Sequence, residues 1–222
     1  MRQLVVSAFV SLDGVMQAPG GPEEDPTGGF KFGGWLYNYW DDDSGQTMDK
    51  LFEEPFELLL GRKTYEIFAA YWPYIEDPND SIAGPFNRTT KYVVTSSQAP
   101  LTWKNSVAVR GNVVDEIRRL KQQDGPRLLI QGSSQLIRTL LTTDLIDQTT
   151  LLVFPLVLGM GKKFFGDDAR PGALRVTSSM TTPKGVVIQT YVSGGAIKPS
   201  SFAAGEPSQA ELARREKWKR EG

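Results

Sequence analysis

The sequence predicts an α/β domain: a mixed, mostly parallel sheet with helices on both faces, finished by a C-terminal antiparallel hairpin. Three observations predict it. Short apolar runs alternate with amphipathic segments over the first two thirds of the chain, the pattern of strands joined by crossover helices. From Gln148 onward only strand-like runs remain. The last two of these flank Pro183-Lys184-Gly185, a turn signal.

Leu4 to Val10 alternates and reads as the first strand, ending at Ser11-Leu12-Asp13-Gly14. Residues 17–34 are rich in Gly and Pro and too long for an ordinary connection, which suits a substrate lid, a binding loop or plain surface. Trp35, Tyr37, Tyr39 and Trp40 follow, and then the acidic run Asp41-Asp42-Asp43. Ser44 or Asp43 caps a helix over roughly 45–54, with Met48, Leu51 and Phe52 on one face. Phe56 to Leu60 is a buried strand closed by Gly61, and a helix starts near Thr64 and stops before Pro73. Lys91 to Thr95 and Ser106 to Val109 read as strands, and Asn112 caps a helix ending near Gly125. Arg127 to Gln131 is a strand that turns at Gly132 into a helix striped by Leu136, Ile137, Leu140 and Leu141. The remaining strands are expected at 148–154, 163–165, 173–180 and 185–192. Residues 1–195 thus form the expected domain, 196–207 a linker, and 208–221 a short polar helix with Glu211–Arg215 and Glu216–Arg220 at i,i+4 spacing.

The 222 residues contain neither cysteine nor histidine. This excludes disulfides, thiolate or imidazole metal sites, cysteine nucleophiles and any Ser-His-Asp triad. Catalysis is left to carboxylates, Lys, Tyr, Ser/Thr or a bound cofactor. No stretch approaches the roughly 18 apolar residues that span a bilayer, so a soluble cytoplasmic protein with no membrane partner is expected. Residues 1–60 carry three basic and eleven acidic side chains, and residues 61–197 carry sixteen and eleven. A mildly basic middle suits a phosphorylated small molecule better than nucleic acid, which needs a denser Lys/Arg stripe; scattered solvated charge gives the same counts.

Three strand-to-turn junctions carry candidate chemistry. At Leu60-Gly61-Arg62-Lys63-Thr64 a strand delivers Gly, two cations and a hydroxyl to a helix start, where free N–H groups favour an anion. An ordinary helix start with surface cations reads the same way. Val94-Thr95-Ser96-Ser97 ends a strand in three hydroxyls that bind a phosphate or ribose, or simply form a turn. Gln131-Gly132-Ser133-Ser134 turns a strand through Gly into a helix, either a phosphate site or a plain turn with Ser as cap. Gly159-Met160-Gly161-Lys162-Lys163 lacks the third glycine of a dinucleotide fingerprint and precedes a strand.

The order of these junctions, with Ser11-Leu12-Asp13-Gly14, Gly33-Gly34-Trp35, Tyr65-Glu66 and 155–165, resembles the dihydrofolate-reductase-like superfamily, in the branch related to the C-terminal reductase domain of bacterial riboflavin biosynthesis. The resemblance spans about residues 2–193. It implies that superfamily's three-layer fold and an NADPH-dependent reductase. Gly61, Arg62, Lys63 and Thr64 would hold the cofactor's phosphates, Thr95, Ser96 and Ser97 the adenosine end with its 2′-phosphate, and Gly132, Ser133 and Ser134 the pyrophosphate. Val10 and Val15 would border the nicotinamide. The cofactor supplies the hydride, so the missing His and Cys are no obstacle. Asp13, Asp43 and Asp49 are the candidate proton donors or acceptor-orienting groups, although a solvated helix cap is the better account of at least two of the three acids at 41–43. Trp35, Tyr39 and Trp40 are candidates for stacking a heterocycle, or for the core. The acceptor implied is a pteridine-like or ribosylamino-pyrimidine-like small molecule. The competing expectation is an NADP(H)-binding module without reductase activity. The resemblance also implies a homodimer paired near the C-terminal strands.

Overall fold

The computed structural model describes residues 1–77, 79–167, 169–202 and 205–221. Its strands are β1 (Leu4–Ser11), β2 (Phe56–Gly61), β3 (Lys91–Val94), β4 (Ser106–Val109), β5 (Arg127–Gln131), β6 (Gln148–Phe154), β7 (Ala173–Thr181) and β8 (Val187–Gly195). They make one eight-stranded sheet in the order β4-β3-β2-β5-β1-β6-β8-β7. Strands β1 to β6 run parallel, whereas β8 is antiparallel to both β6 and β7. The helices are α1 (Asp42–Glu53), α2 (Arg62–Ala69), α3 (Ala83–Arg88), α4 (Val113–Gln122), α5 (Ser134–Leu141) and α6 (Gln209–Glu221).

Alternation along the strands divides the core in two. Val6, Ala8 and Val10 of β1, Leu59 of β2 and Leu128 and Ile130 of β5 share one cluster with Ile117 and Leu120 of α4 and Leu136, Ile137 and Leu140 of α5. Val5, Leu58, Leu60 and Leu129 point the other way, into a cluster with Met48 and Phe52 of α1, Tyr65 of α2 and Phe86 of α3. Each fully buried leucine contributes about 2 kcal/mol of transfer free energy, so these clusters hold the helices on the sheet more strongly than helix propensity does. With β1 to β6 parallel, the turns that follow β1, β2, β3 and β5 all open along the same edge of the sheet.

Several elements depart from expectation. Asp41, not Asp43 or Ser44, caps α1: its carboxylate accepts from Ser44 N–H at 3.0 Å and from Ser44 Oγ at 2.8 Å. Helix α2 begins at Arg62 rather than Thr64, directly after β2. Helix α3 was not expected, because Gly84 and Pro85 are poor helix formers; Asp80 Oδ1 starts it by accepting from Ile82 and Ala83 N–H at 2.9 and 2.7 Å. The strand expected at 163–165 is a single bridge between Val15 and Lys163. At the last hairpin Gly185, at φ 82°, donates its N–H to Thr182 O at 2.9 Å, as the turn signal required. Helix α6 buries none of its side chains. Among the described residues no helix is long and apolar enough to cross a membrane.

Candidate active site

The candidate site grows from two strand ends. Strand β2 passes into α2 with no connecting residues, and Gly61, the residue before the helix, offers no side-chain cap. Strand β5 passes into α5 through Gly132 at φ 74° and Ser133 at φ 65°. A Cβ at position 132 would lie 3.3 Å from Thr64 Cγ2, so both backbone conformation and space call for glycine there. The Ser133 hydroxyl does not cap its own helix; its Oγ accepts from Gly61 N–H at 3.0 Å. The first turns of α2 and α5 therefore meet, and each leaves its leading N–H groups without a side-chain acceptor. Two uncapped helix starts side by side concentrate donors and positive potential in one place.

The end of β3 adds hydroxyls. Thr95 Oγ1 accepts from Ser97 N–H at 3.0 Å, and Ser97 Oγ accepts from Ala99 N–H at 3.1 Å, so the turn reading holds. The hydroxyl protons remain available for donation. Arg62 donates to Ala99 O at 3.1 Å while pairing with Glu66 at 2.6 Å. Arg110 donates to Ser97 O at 3.1 Å, which puts a second guanidinium beside the same turn.

These corners form part of the wall of one cleft of about 2200 Å³. The loop 17–34 forms another part. It is built rather than loose: Gln17 Nε2 donates to Asp25 O and Thr27 O at 2.9 and 2.8 Å, and Trp35 Nε1 donates to Gln17 O at 2.8 Å. Its two limbs touch at Gly33, where an added Cβ would meet Gly21 O at 2.5 Å. Asp25 is buried and ion-paired to Lys162, with Lys63 Nζ 3.8 Å away. Burial pushes its carboxyl up, but Lys162 and Thr27 outweigh this and leave it lowered. The loop is thereby tied both to the first turn of α2 and to the segment after β6.

Gly61 to Thr64, Thr95 to Ser97 and Gly132 to Ser134 all line this cleft, and so does Trp40. Other sequence candidates lie elsewhere. Val10 and Val15 are buried in the two core clusters, and the cleft meets Met16, Gln17 and Ala18 instead. Asp13 lies outside the cleft lining, and its carboxylate accepts from Ser11 Oγ at 2.6 Å and from Leu158 and Gly159 N–H at 3.1 and 2.8 Å. Burial works to raise its pKa; these bonds outweigh burial and hold it at about 2. An acid so strong braces a loop and stores no proton at neutral pH. Asp43 and the exposed Asp49 sit on α1 away from the cleft lining. Trp35 packs edge-on against Phe154 at 5.3 Å, and Tyr39 packs against the core; neither lines the cleft.

The structure adds residues that sequence reasoning missed. Glu24 lines the cleft, with Oε2 accepting from Gly20 and Gly21 N–H at 2.6 and 3.2 Å and Oε1 accepting from no described residue. Burial raises its pKa, against those two bonds and with help from the neighbouring Asp25 charge. Gln131 is 7% exposed, lines the cleft, and its Oε1 has no partner among the described residues. The Gly- and Pro-rich run around Glu24 suited a lid, a binding loop or plain surface, and nothing local marked which acid in it turns inward.

The family model of the RibD C-terminal domain matches residues 2–188. The chain belongs to the RibD C-terminal domain family. Two Bacillus subtilis (strain 168) proteins resemble it along most of their length. The uncharacterized protein YyaP is 26% identical over 86% of this chain and 94% of its own. The uncharacterized protein YwjB is 25% identical over 79% of this chain and 89% of its own. Among solved structures, a putative riboflavin biosynthesis protein from Shewanella sp. PV-4 superposes with TM-score 0.64 at 23% identity, covering 86% of this chain and 98% of that one. Enterococcus faecalis dihydrofolate reductase, complexed with NADP(H), superposes with TM-score 0.54 at 17% identity, covering 86% and 96%. These superpositions establish the dihydrofolate-reductase-like fold for this RibD C-terminal domain.

Proposed function

We propose that this RibD C-terminal domain is an NADPH-dependent reductase that delivers a hydride to a small unsaturated acceptor bound in the cleft. The observation that carries this is the meeting of two uncapped helix starts, locked by the Gly61–Ser133 hydrogen bond, beside Arg62 and Lys63. The residues present fit the cofactor. The N–H groups of α2 and α5 with Lys63 suit a pyrophosphate, while Arg62 and the Thr95–Ser97 hydroxyls suit a further phosphate on a ribose. The orphan Oε1 of Gln131 supplies an acceptor for an amide N–H. A cleft of about 2200 Å³ has room for a dinucleotide and a second molecule.

When bound, a reduced nicotinamide supplies the hydride. The chain's own residues orient the partners, exclude water and provide the proton. Of the acids lining the cleft, Asp25 is locked by lysines and Glu66 by Arg62, whereas Glu23 and Asp167 are exposed. Glu24, half-buried with a free oxygen and a raised pKa, is the acid suited to hold a proton for the acceptor. With the nicotinamide bound, Glu24 would give its proton to the heteroatom next to the carbon that receives the hydride, and would take one back from solvent.

Calorimetric titration with NADPH, followed by NADPH oxidation assays with dihydrofolate, the ribosylamino-pyrimidine and a panel of uncharged carbonyl compounds, tests the reading. Saturable binding and acceptor-dependent oxidation support it. Binding with no turnover on any acceptor moves the protein to a cofactor-binding module. No heat at millimolar NADPH overturns both.

A further inference from the structure

Away from the helix starts the cleft changes character. Phe9, Trp40, Met48, Phe52, Phe68 and Trp72 line it there, and the rings brace one another edge-on: Phe9 against Trp40 at 5.7 Å, Phe68 against Trp72 at 6.2 Å. Phe86 joins them, 5.2 Å from Phe52 and 5.4 Å from Trp72. Among the described lining residues, α1, α3 and the stretch 67–72 contribute no charged side chain. The cations of the lining come from α2's first turn, α5 and residues 162–163. Arg62 is engaged with Glu66, and Lys63 and Lys162 with Asp25.

We infer that the hydride acceptor is a flat, unsaturated, uncharged compound without a phosphate group, seated on this aromatic wall. The inference rests on the reductase reading and names its substrate class. A phosphomonoester carries about −1.5 to −2 charges at neutral pH; against an aromatic wall it would lose its water shell with no cation in exchange. A flat apolar ring instead gains offset or edge-on contacts with the braced aromatics. The wall also holds one unmatched donor: the indole Nε1–H of Trp72 is shielded from water and has no acceptor among the described residues. A carbonyl oxygen, hydroxyl oxygen or ring nitrogen on the acceptor would satisfy it once the indole turns toward the cleft.

A matched pair of probes tests this: 1-naphthol and 1-naphthyl phosphate share a ring system and differ by the phosphate. Each is titrated calorimetrically into the full-length protein saturated with NADP⁺, so that the anion-binding corners are filled. Naphthol should bind at least tenfold more tightly than its phosphate. Phe68→Ala should weaken naphthol at least fivefold while NADP⁺ affinity stays within twofold. Trp72→Phe, which keeps a ring and removes the donor, should weaken naphthol at least threefold with an unchanged melting profile. Equal or tighter binding of the phosphate overturns the inference, as does naphthol binding indifferent to both variants. If NADP⁺ does not bind, the reductase reading fails separately, and the ratio between the two probes on the free chain still decides the class of ligand the wall accepts.

Discussion

The amide of Gly61 donates to the hydroxyl of Ser133 at 3.0 Å across 72 positions of sequence, and this bond joins the starts of α2 and α5. Replacing Ser133 by Ala removes the acceptor and leaves a partly buried N–H unpaired. The variant should lose about 1 kcal/mol in urea denaturation, and its dissociation constant for NADPH should rise several-fold. Unchanged values for both would show that the bond does not hold the two helix starts in register.

Arg62 reaches the turn after β3 through Ala99 O, beside the Thr95–Ser97 hydroxyls. Arg62→Ala should therefore weaken NADPH more than NADH, because the two differ by one phosphate at that end. Paired fluorescence titrations measure the ratio. Equal weakening would place Arg62 at the shared pyrophosphate instead, and a thermal melt checks that the variant remains folded.

Glu24 has a raised pKa because it is buried. Its protonated fraction falls as pH rises through that value, so a reductase drawing its proton there slows toward alkaline pH. Glu24→Gln should lower kcat by about 10²- to 10⁴-fold, flatten that alkaline limb, and leave NADPH affinity within a few-fold. A profile that keeps its shape in the variant assigns the proton to another group or to water.

Asp13 sits at about 2 against an ordinary value of 3.8. A depressed carboxyl pKa favours the folded state above the unfolded value, and that contribution disappears as pH falls from near 3.8 toward 2. Acid titration followed by tryptophan fluorescence should show Asp13→Asn less stable than the parent at neutral pH, with the gap narrowing in acid. A constant gap across this range would mean that the Ser11, Leu158 and Gly159 bonds do not depend on the carboxylate charge.

Strand β7 ends the sheet with Leu174 and Val176 exposed at 54% and 46%, and Val176 pairs in register with Tyr191. We propose that a second copy of the chain covers this edge, since an open strand bearing apolar side chains invites pairing. Light scattering should report a dimer mass for the parent and a monomer for Val176→Lys. A monomeric parent at micromolar concentration removes the proposal.

Much of the architecture was legible locally. The apolar runs at Leu4, Phe56, Arg127 and Gln148 each became a strand of the sheet, and Asn112 caps α4 by accepting from Asp115 N–H at 3.1 Å. Helix α3 escaped because Gly84 and Pro85 disguise it, and its start depends on a side-chain cap from Asp80. The three hydroxyl- and glycine-bearing corners were visible as separate anion-binding candidates because strand ends and helix starts are encoded by neighbours in sequence.

The acids were different. Asp13, Asp43 and Asp49 looked like candidates because a carboxylate's role is invisible until its partners are known, and Asp13's partners Leu158 and Gly159 lie 145 and 146 residues away. Glu24 differs from the neighbouring Glu23 only in the direction that the folded loop gives it. Hydrophobic period and turn chemistry act between residues a few positions apart, and for this chain they place most of the strands and helices and name the groups at each corner. Which corners share a cleft, which carboxyl is desolvated and which aromatics form its wall depend on contacts between distant segments, and burial and charge at those contacts exist only once the sheet has assembled.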